Sequence, residues 1–574
     1  MHRSIVTKAR AVAMACLSLG FLAGCDVATD PIPGNQAPDS HVSLSAGPPG
    51  IPIYSLTTIP ADVAWRINQS GDVVGWTAFP PQPYLYTPEN GVIMLPTAPP
   101  PPGQEAGIAR DVSNRVSGVL TVVGEARLAS SGGNLHAVRW RVAVPQGTVI
   151  DVTDLGTLPQ HVHSEARGVN SSGQIVGSSD PNSLLSVRAF GFTDATGMVD
   201  LGLGGVGFSA YAHDINDAGV ITGYLGTHAF RWTTAGGLDD LGVPPGWNFS
   251  TGYSINASNQ VAGGLTTASG NAQAVARYSD GAGWKILGGL GQRNTGWGLN
   301  DWGDVVGTGI AHTGIFPSRQ GVVFTDVLGT LVYVRELLAN PSPYTVMEAY
   351  DINNAQQIVG WASNNVGGAN TAVLLNRVGT LQAPNAPSNL TAIPEPPDQQ
   401  VPYIRIQVSA QDNSTNEQGF LIERKGPTDA TFLPVSNSSS SQYTDANITP
   451  CLSYAYRVSA FNYAGSSATT AIVSAVAPCT GNYPPSAALS ATSPTNILVG
   501  GSVSVSGSFF DPDHGPWKYA FAWGNGRTSG TSLTTGVINA TRTYTKAGTY
   551  RIAFGVADAL ALADTSNVVT VHVR

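Results

Sequence analysis

Ile67-Asn68-Gln69-Ser70-Gly71-Asp72-Val73-Val74-Gly75 is a phrase to which the chain keeps returning. Close copies stand at Val169-Asn170-Ser171-Ser172-Gly173-Gln174-Ile175-Val176-Gly177 and Ile215-Asn216-Asp217-Ala218-Gly219-Val220-Ile221-Thr222-Gly223. Two more are Leu299-Asn300-Asp301-Trp302-Gly303-Asp304-Val305-Val306-Gly307 and Ile352-Asn353-Asn354-Ala355-Gln356-Gln357-Ile358-Val359-Gly360, while Ile255-Asn256 and Val112-Ser113 open shorter copies. The Asn position, or its equivalent, falls at 68, 113, 170, 216, 256, 300 and 353, a period of 40 to 57 residues. Periods of this length belong to propeller blades and related repeat arrays.

Each unit reads as four strands. In the third, 165–169 is one strand, and Asn170-Ser171-Ser172-Gly173 is a tight turn whose Asn and Gly tolerate positive φ. Residues 174–177 return as the second strand, Arg188-Ala189-Phe190-Gly191-Phe192 alternates as the third, and Val199-Asp200-Leu201-Gly202 is the fourth. The third strand recurs as His136-Ala137-Val138-Arg139-Trp140 and His228-Ala229-Phe230-Arg231-Trp232, and the fourth as Asp154-Leu155-Gly156 and Asp240-Leu241-Gly242.

The combined Ile-Asn, His-Ala-Phe and Asp-Leu-Gly motifs resemble the HAF repeats of bacterial extracellular proteins. The resemblance implies a repeat scaffold without a general activity. The second unit carries an insertion around Ser117–Leu120, the fifth has Gln273-Ala274-Val275, and the sixth lacks the triplet, a decay that fits packing better than chemistry. Ile53 to Pro60 looks like an unattached fourth strand, and the last unit has only Val378-Gly379-Thr380-Leu381 as a weak fourth strand of its own. Letting the N-terminal strand finish the last unit pairs both free edges. The expectation is an all-β chain with a seven-bladed β-propeller over 51–381, an open β-solenoid being the competing architecture.

Two immunoglobulin-like β-sandwiches are expected downstream. Residues 388–479 resemble a fibronectin type III domain through residues 404–409, 412–424 and Tyr454, which fits a tyrosine corner, with Ala410 where that family has a core Trp. Cys451 and Cys479 would lie on neighbouring antiparallel strands and form a disulfide. Residues 484–574 resemble a PKD domain through Asp511-Pro512-Asp513, Phe521-Ala522-Trp523-Gly524-Asn525-Gly526, residues 544–550 and Ala557-Asp558. Asp511, Asp513 and Asp558 are candidate metal ligands of the oxygen-rich kind that Ca²⁺ favours, with turn-stabilising Asp as the alternative.

The first 24 residues read as a signal peptide: Arg3, Lys8 and Arg10 precede the apolar Ala11–Phe21. Leu22-Ala23-Gly24-Cys25 resembles the lipobox of bacterial lipoproteins, which implies lipidation of Cys25, and 25–50 is a Pro- and Gly-rich tether. The expected location is therefore the bacterial cell envelope, lipid-anchored and outside the cytoplasm, with the membrane met through the anchor alone. Removing 1–24 takes three of the 28 Lys+Arg and none of the 37 Asp+Glu, for a balance of about −12, without a basic stripe for nucleic acid.

Catalytic motifs are missing: there is no His-Glu-x-x-His, no Gly-x-Ser-x-Gly and no phosphate loop. No cofactor is expected. Asp239-Asp240 and Asp151 with Asp154 are carboxylate pairs, but Asp240 and Asp154 belong to the repeated Asp-Leu-Gly and read as turn or ladder partners. Trp76, Tyr224, Trp297, Trp302 and Trp361 lie in or just after the repeated phrase; they either line a face for an extracellular glycan or protein or pack between units. The reading is a surface-anchored, non-catalytic binding, adhesion or scaffold protein. The alternative is a hydrolase or lyase acting on polysaccharide, whose mark would be a funnel holding two acids about 5–10 Å apart.

Overall fold

The computed structural model describes residues 50–574 except 78–79, 102–103, 182–186, 205–207, 271, 290–293, 312–317, 365–367, 369, 398–402, 480–483, 512–514 and 560. The expected signal segment, Cys25, the expected tether up to residue 49 and Asp513 lie outside the described residues. The described chain is all-β: strands interrupted only by two short 3₁₀ turns.

Residues 52–380 build seven four-stranded antiparallel sheets. Six are simple meanders, such as Val63–Ile67, Val73–Thr77, Gln82–Thr87 and Gly91–Met94. The seventh combines Tyr344–Ile352, Ile358–Asn364 and Asn370–Thr380 with the N-terminal strand Pro52–Ile59, which pairs antiparallel to Asn370–Thr380 from Pro52↔Thr380 to Ile59↔Ala372. The N-terminal strand therefore completes the last sheet as expected. The weak candidate at Val378 to Leu381 is not a separate strand. Residues 378–380 continue Asn370–Thr380, so the edge that Pro52–Ile59 covers runs straight through them.

Neighbouring sheets pack face to face in chain order, and Val63–Ile67 of the first packs against Tyr344–Ile352 and Ile358–Asn364 of the seventh. Their cores are apolar and shared: Val123 and Ala137 of the second sheet pack with Ala166, Val169 and Phe190 of the third. The repeated Asn supplies polar stitching. Asn170 Oδ1 accepts the backbone N–H groups of Ser172 and Gln174, closing its turn, while Nδ2 donates to Gln174 Oε1 and to the Asn216 carbonyl of the next sheet. Both halves of a buried amide are thereby satisfied. The same reach runs from Asn216 to the Asn256 carbonyl, Asn256 to Asn300, Asn300 to Asn353, Asn353 to Asn68 and Asn68 to Ser113, at 2.9–3.2 Å. Ser113 is too short to continue; there Asn114 Nδ2 reaches Ser171 Oγ instead, at 3.4 Å.

The other repeated motif also explains itself. His136 Nδ1 and His228 Nδ1 each lie 3.0 Å from the carboxylate of Asp154 and Asp240 on the adjoining strand, and each Asp accepts the N–H of the Gly two residues on. Serines of the following sheet, Ser164 and Ser250, accept from Ala137 and Ala229 and donate to Gly156 and Gly242. The His-Ala-Phe and Asp-Leu-Gly residues are thus ladder partners and inter-sheet links.

Two β-sandwiches follow. In the first, Ile406 and Val408 of one sheet share a core with Phe420, Ile422, Tyr456 and Val458 of the other. Tyr454 Oη accepts the Thr449 N–H at 2.8 Å, the expected tyrosine corner. A disulfide joins Cys451 to Cys479. In the second sandwich Val503, Val505 and Phe509 pack against Trp517, Phe521, Phe554 and Val571.

Candidate ligand site

The first strand of every sheet in the repeat region carries the same irregularity. The pairing skips one residue at Trp65, Arg110, Arg167, His213, Tyr253, Trp297 and Tyr350, in each case three residues before the Asn position. The cause is visible in burial. Ala64 and Ile67, or Ala212 and Ile215, are both buried although three apart, which a strand of period two cannot achieve without an inserted residue. A bulge re-aims the extra side chain. All seven of these extra side chains line one cavity of about 290 Å³, together with Arg66 and Tyr224.

The cavity has a cationic side and an aromatic side. Arg110, Arg167 and His213 come from consecutive sheets; Tyr253, Trp297, Tyr350 and Trp65 follow in order. The rings are continuous: Tyr253–Trp297 at 4.6 Å, Trp297–Tyr350 at 6.1 Å, Tyr350–Trp65 at 4.3 Å, and Tyr253–His213 at 4.9 Å. Arg110 lies over the Trp65 ring at 5.6 Å, a cation–π contact linking the two sides.

One residue closer to the Asn turns, Arg66 reaches across the centre. Its guanidinium donates to the Tyr253 carbonyl at 3.0 Å and lies 3.4 Å from Asp351 and 3.9 Å from Asp214. It thereby joins the first sheet to the fourth, fifth and seventh. The carboxylates of this layer also stitch sheets together: Asp351 accepts the Ile67 N–H, Asp111 that of Val169 and Asp214 that of Ile255. Burial pushes the Asp351 carboxyl up to about 6 and the Asp111 carboxyl upward as well, despite the Arg66 charge.

Two acids pair with the cationic side. Arg110 Nη2 lies 2.8 Å from Glu125 and 3.7 Å from Glu165, and Arg167 pairs with Glu165. Burial raises Glu125 against the pull of Arg110; burial pushes Glu165 the same way, but Arg167 and Arg110 outweigh it and hold that carboxyl below its usual range. Neither acid is among the residues that line the cavity. His213 Nδ1 is 3.0 Å from Arg167 Nη1, which can only donate, so Nδ1 accepts and the ring proton sits on Nε2. Burial, then the Arg167 charge, keep this imidazole neutral well below its ordinary pKa.

Of the aromatics singled out from sequence, Tyr224 and Trp297 line the cavity. Trp76 and Trp361 stand one layer above, opposite Val63 and Glu348 in the pairing, and Trp76 packs on Trp65 at 5.4 Å. Trp302 does not belong to this face. It lies in the Asn turn itself, with Nε1 bonded to the Asn354 carbonyl at 2.8 Å, because a turn residue points away from the strand layer that the bulge re-aims. Sequence reading missed Trp65, Arg66, Arg110, Arg167, His213, Tyr253 and Tyr350. The available signal was the column three before Asn, large or charged in every copy, flanked by Ala or Gly on its N-terminal side. In the second sandwich, Asp511 accepts Trp517 Nε1 at 2.7 Å and Asp558 accepts the Leu562 N–H at 2.9 Å. Among the described residues no three His, Cys, Asp or Glu gather as metal ligands.

No family model matches the chain, and no curated protein does. Among solved structures, it is similar to the PKD domain of an M14-like peptidase from Thermoplasmatales archaeon SCGC AB-540-F20, at 22% identity over 16% of this chain and 98% of that one, with a TM-score of 0.15. It is also similar to the FN1–FN3 domains of chicken CNTN1, at 10% identity over 33% of this chain and 67% of that one, again with a TM-score of 0.15.

Proposed function

We propose that this chain is an extracellular, non-catalytic binding protein of the bacterial cell envelope, anchored through Cys25. Its seven sheets are the blades of a HAF-repeat propeller, and its two sandwiches are spacer or auxiliary binding modules of fibronectin type III and PKD type. Three observations support the ring: the N-terminal strand in the last sheet, the Asn353-to-Asn68 hydrogen bond, and Arg66 touching four sheets. One observation carries the function. Each of the seven bulges delivers a side chain to the same cavity, and the result is an aromatic wall beside clustered donors. Aromatic faces with a few placed polar groups suit the C–H face and hydroxyls of a sugar.

The hydrolase reading rests on Glu125 and Glu165, two acids bonded to one arginine with their pKa values pushed apart. Both acids are taken up in ion pairs with Arg110 and Arg167, and neither is among the residues that line the cavity. Binding without turnover is the better account. Its test is a glycan array probed with the full mature chain from residue 25, with Trp297→Ala beside it. Retained glycans that disappear with the variant support the reading. An array that stays blank, or products released from a glycan without added enzyme, would overturn it.

A further inference from the structure

We propose that the cavity takes a carboxylated sugar, with its carboxylate in the corner formed by Arg110, Arg167 and His213 and its ring on the wall formed by Trp65, Tyr253, Trp297 and Tyr350. This rests on the preceding reading that the cavity is the ligand site.

The first ground is an imbalance in hydrogen bonding. Arg110 Nε, Arg167 Nε and His213 Nε2 are all buried and have no partner. All three are donors, and all three belong to residues lining the cavity. A buried donor left unpaired is costly. Three unpaired donors on neighbouring lining residues leave hydrogen-bonding capacity that a carboxylate, with about four lone-pair sites, meets more fully than a hydroxyl with two. The second ground is how the corner is held. Glu165 pairs with the Arg167 head group and Glu125 with that of Arg110, so the guanidinium planes are set before any ligand arrives. Tyr211 and Tyr224 stack with the His213 ring at 6.3 and 5.5 Å and fix its direction. The third ground is size. About 290 Å³ lies at the low end of small-ligand sites, room for one sugar ring and not for a folded segment. Sulfated sugars offer acceptors too, but the planar carboxylate matches a guanidinium edge in two-point fashion.

The experiment is calorimetric titration of the full mature chain with methyl glucuronide and methyl galacturonide, each against its neutral counterpart with CH₂OH in place of the carboxylate. The uronides are expected to bind about tenfold or more tightly than the neutral glycosides, since hydrogen bonds to charged groups are the stronger ones. The gap should narrow with added salt. His213→Phe keeps the ring stack and removes the donor; it should shrink the gap. Trp297→Phe should weaken both sugar types, with the thermal melt of each variant confirming that it folds. Equal binding of acid and neutral sugars, still sensitive to Trp297→Phe, would overturn the carboxylate assignment and leave the ligand site standing. No binding of any of the four glycosides, or binding indifferent to both variants, would overturn the two together.

Discussion

At the scale of single residues, the repeated Asn does two jobs with one amide, and its loss should be felt on both sides of a sheet boundary. In Asn256→Ala the N–H groups of Ser258 and Gln260 lose their acceptor and the Asn300 carbonyl loses its donor. Stability should fall by about 3 kcal/mol, read from denaturant unfolding of the full chain. Asn256→Asp keeps the acceptor and drops the donors, so it should not rescue. The buried carboxyls give a second expectation, with the sign fixed by linkage. The folded chain holds Asp351 up at about 6 and Asp111 above its usual value through burial, whereas an unfolded Asp titrates near about 3.9. Through these two groups the folded state binds more protons than the unfolded chain, a contribution lost as pH rises, while the depressed His213 works the other way below its ordinary value of about 6.5. Above the His213 range the raised Asp111 sets the sign: the melting temperature should be higher at pH 7 than at pH 9, and Asp111→Asn, which keeps an acceptor for the Val169 N–H, should reduce the difference. An unchanged slope would remove Asp111 from the account.

At the scale of the strand, the bulge is the element that brings seven side chains to one cavity. It also shows where sequence reading stops. The Asn turns, the paired strands and the N-terminal strand in the last sheet were legible because Asn, Gly and alternating Val or Ile obey local rules. The cavity was not, because the residues that form it differ among themselves: Trp65, Arg110, Arg167, His213, Tyr253, Trp297 and Tyr350 share a position but no single chemistry. Pattern matching favours what repeats, and this column is the one free to vary. Hence Trp297 and Tyr224 were found as aromatics near the phrase, while Trp302 was drawn in by proximity in sequence and belongs to the turn. The residue after the bulge is constrained by close approach. A Cβ on Gly298 would fall 2.6 Å from Asp351 Cα and 2.8 Å from the Tyr350 carbonyl, both on the neighbouring sheet. Gly298→Ala should therefore cost about 2–3 kcal/mol, as overpacking does. Gly264→Ala, whose Cβ meets nothing nearer than 3.5 Å, should be tolerated, and equal costs for the two would refute the close-packing account.

At the scale of the whole molecule, the question is whether the seven sheets stand or fall together. In the downstream sandwich the Cys451–Cys479 bridge spans a sequence separation of 28 and should contribute roughly 3–4 kcal/mol to that unit. Cys451→Ser should lower only the sandwich transition in calorimetry. The repeat region should behave otherwise, since each sheet is bonded to the next and the last to the first. Pro52–Ile59 buries Tyr54 and Ile59 and covers the Asn370–Thr380 edge from end to end. Removing residues 51–61 would leave that edge bare and the seventh sheet without a quarter of its strands. That sheet holds Asp351 and Asn353, the groups that bond the Ile67 N–H and the Asn68 carbonyl of the first sheet. Loosening it therefore reaches the first sheet directly, and through Arg66 the floor of the cavity. The truncated chain is expected to lose the cooperative melt of the repeat region and the glycoside binding together, while the sandwich transitions persist. A synthetic peptide of residues 50–61 added in excess should restore both, because a strand that binds only the folded form stabilises it by mass action. Should the truncated chain melt at the temperature of the full one, the seven sheets are an open row in which the N-terminal strand is an accessory, and the proposed ring is wrong.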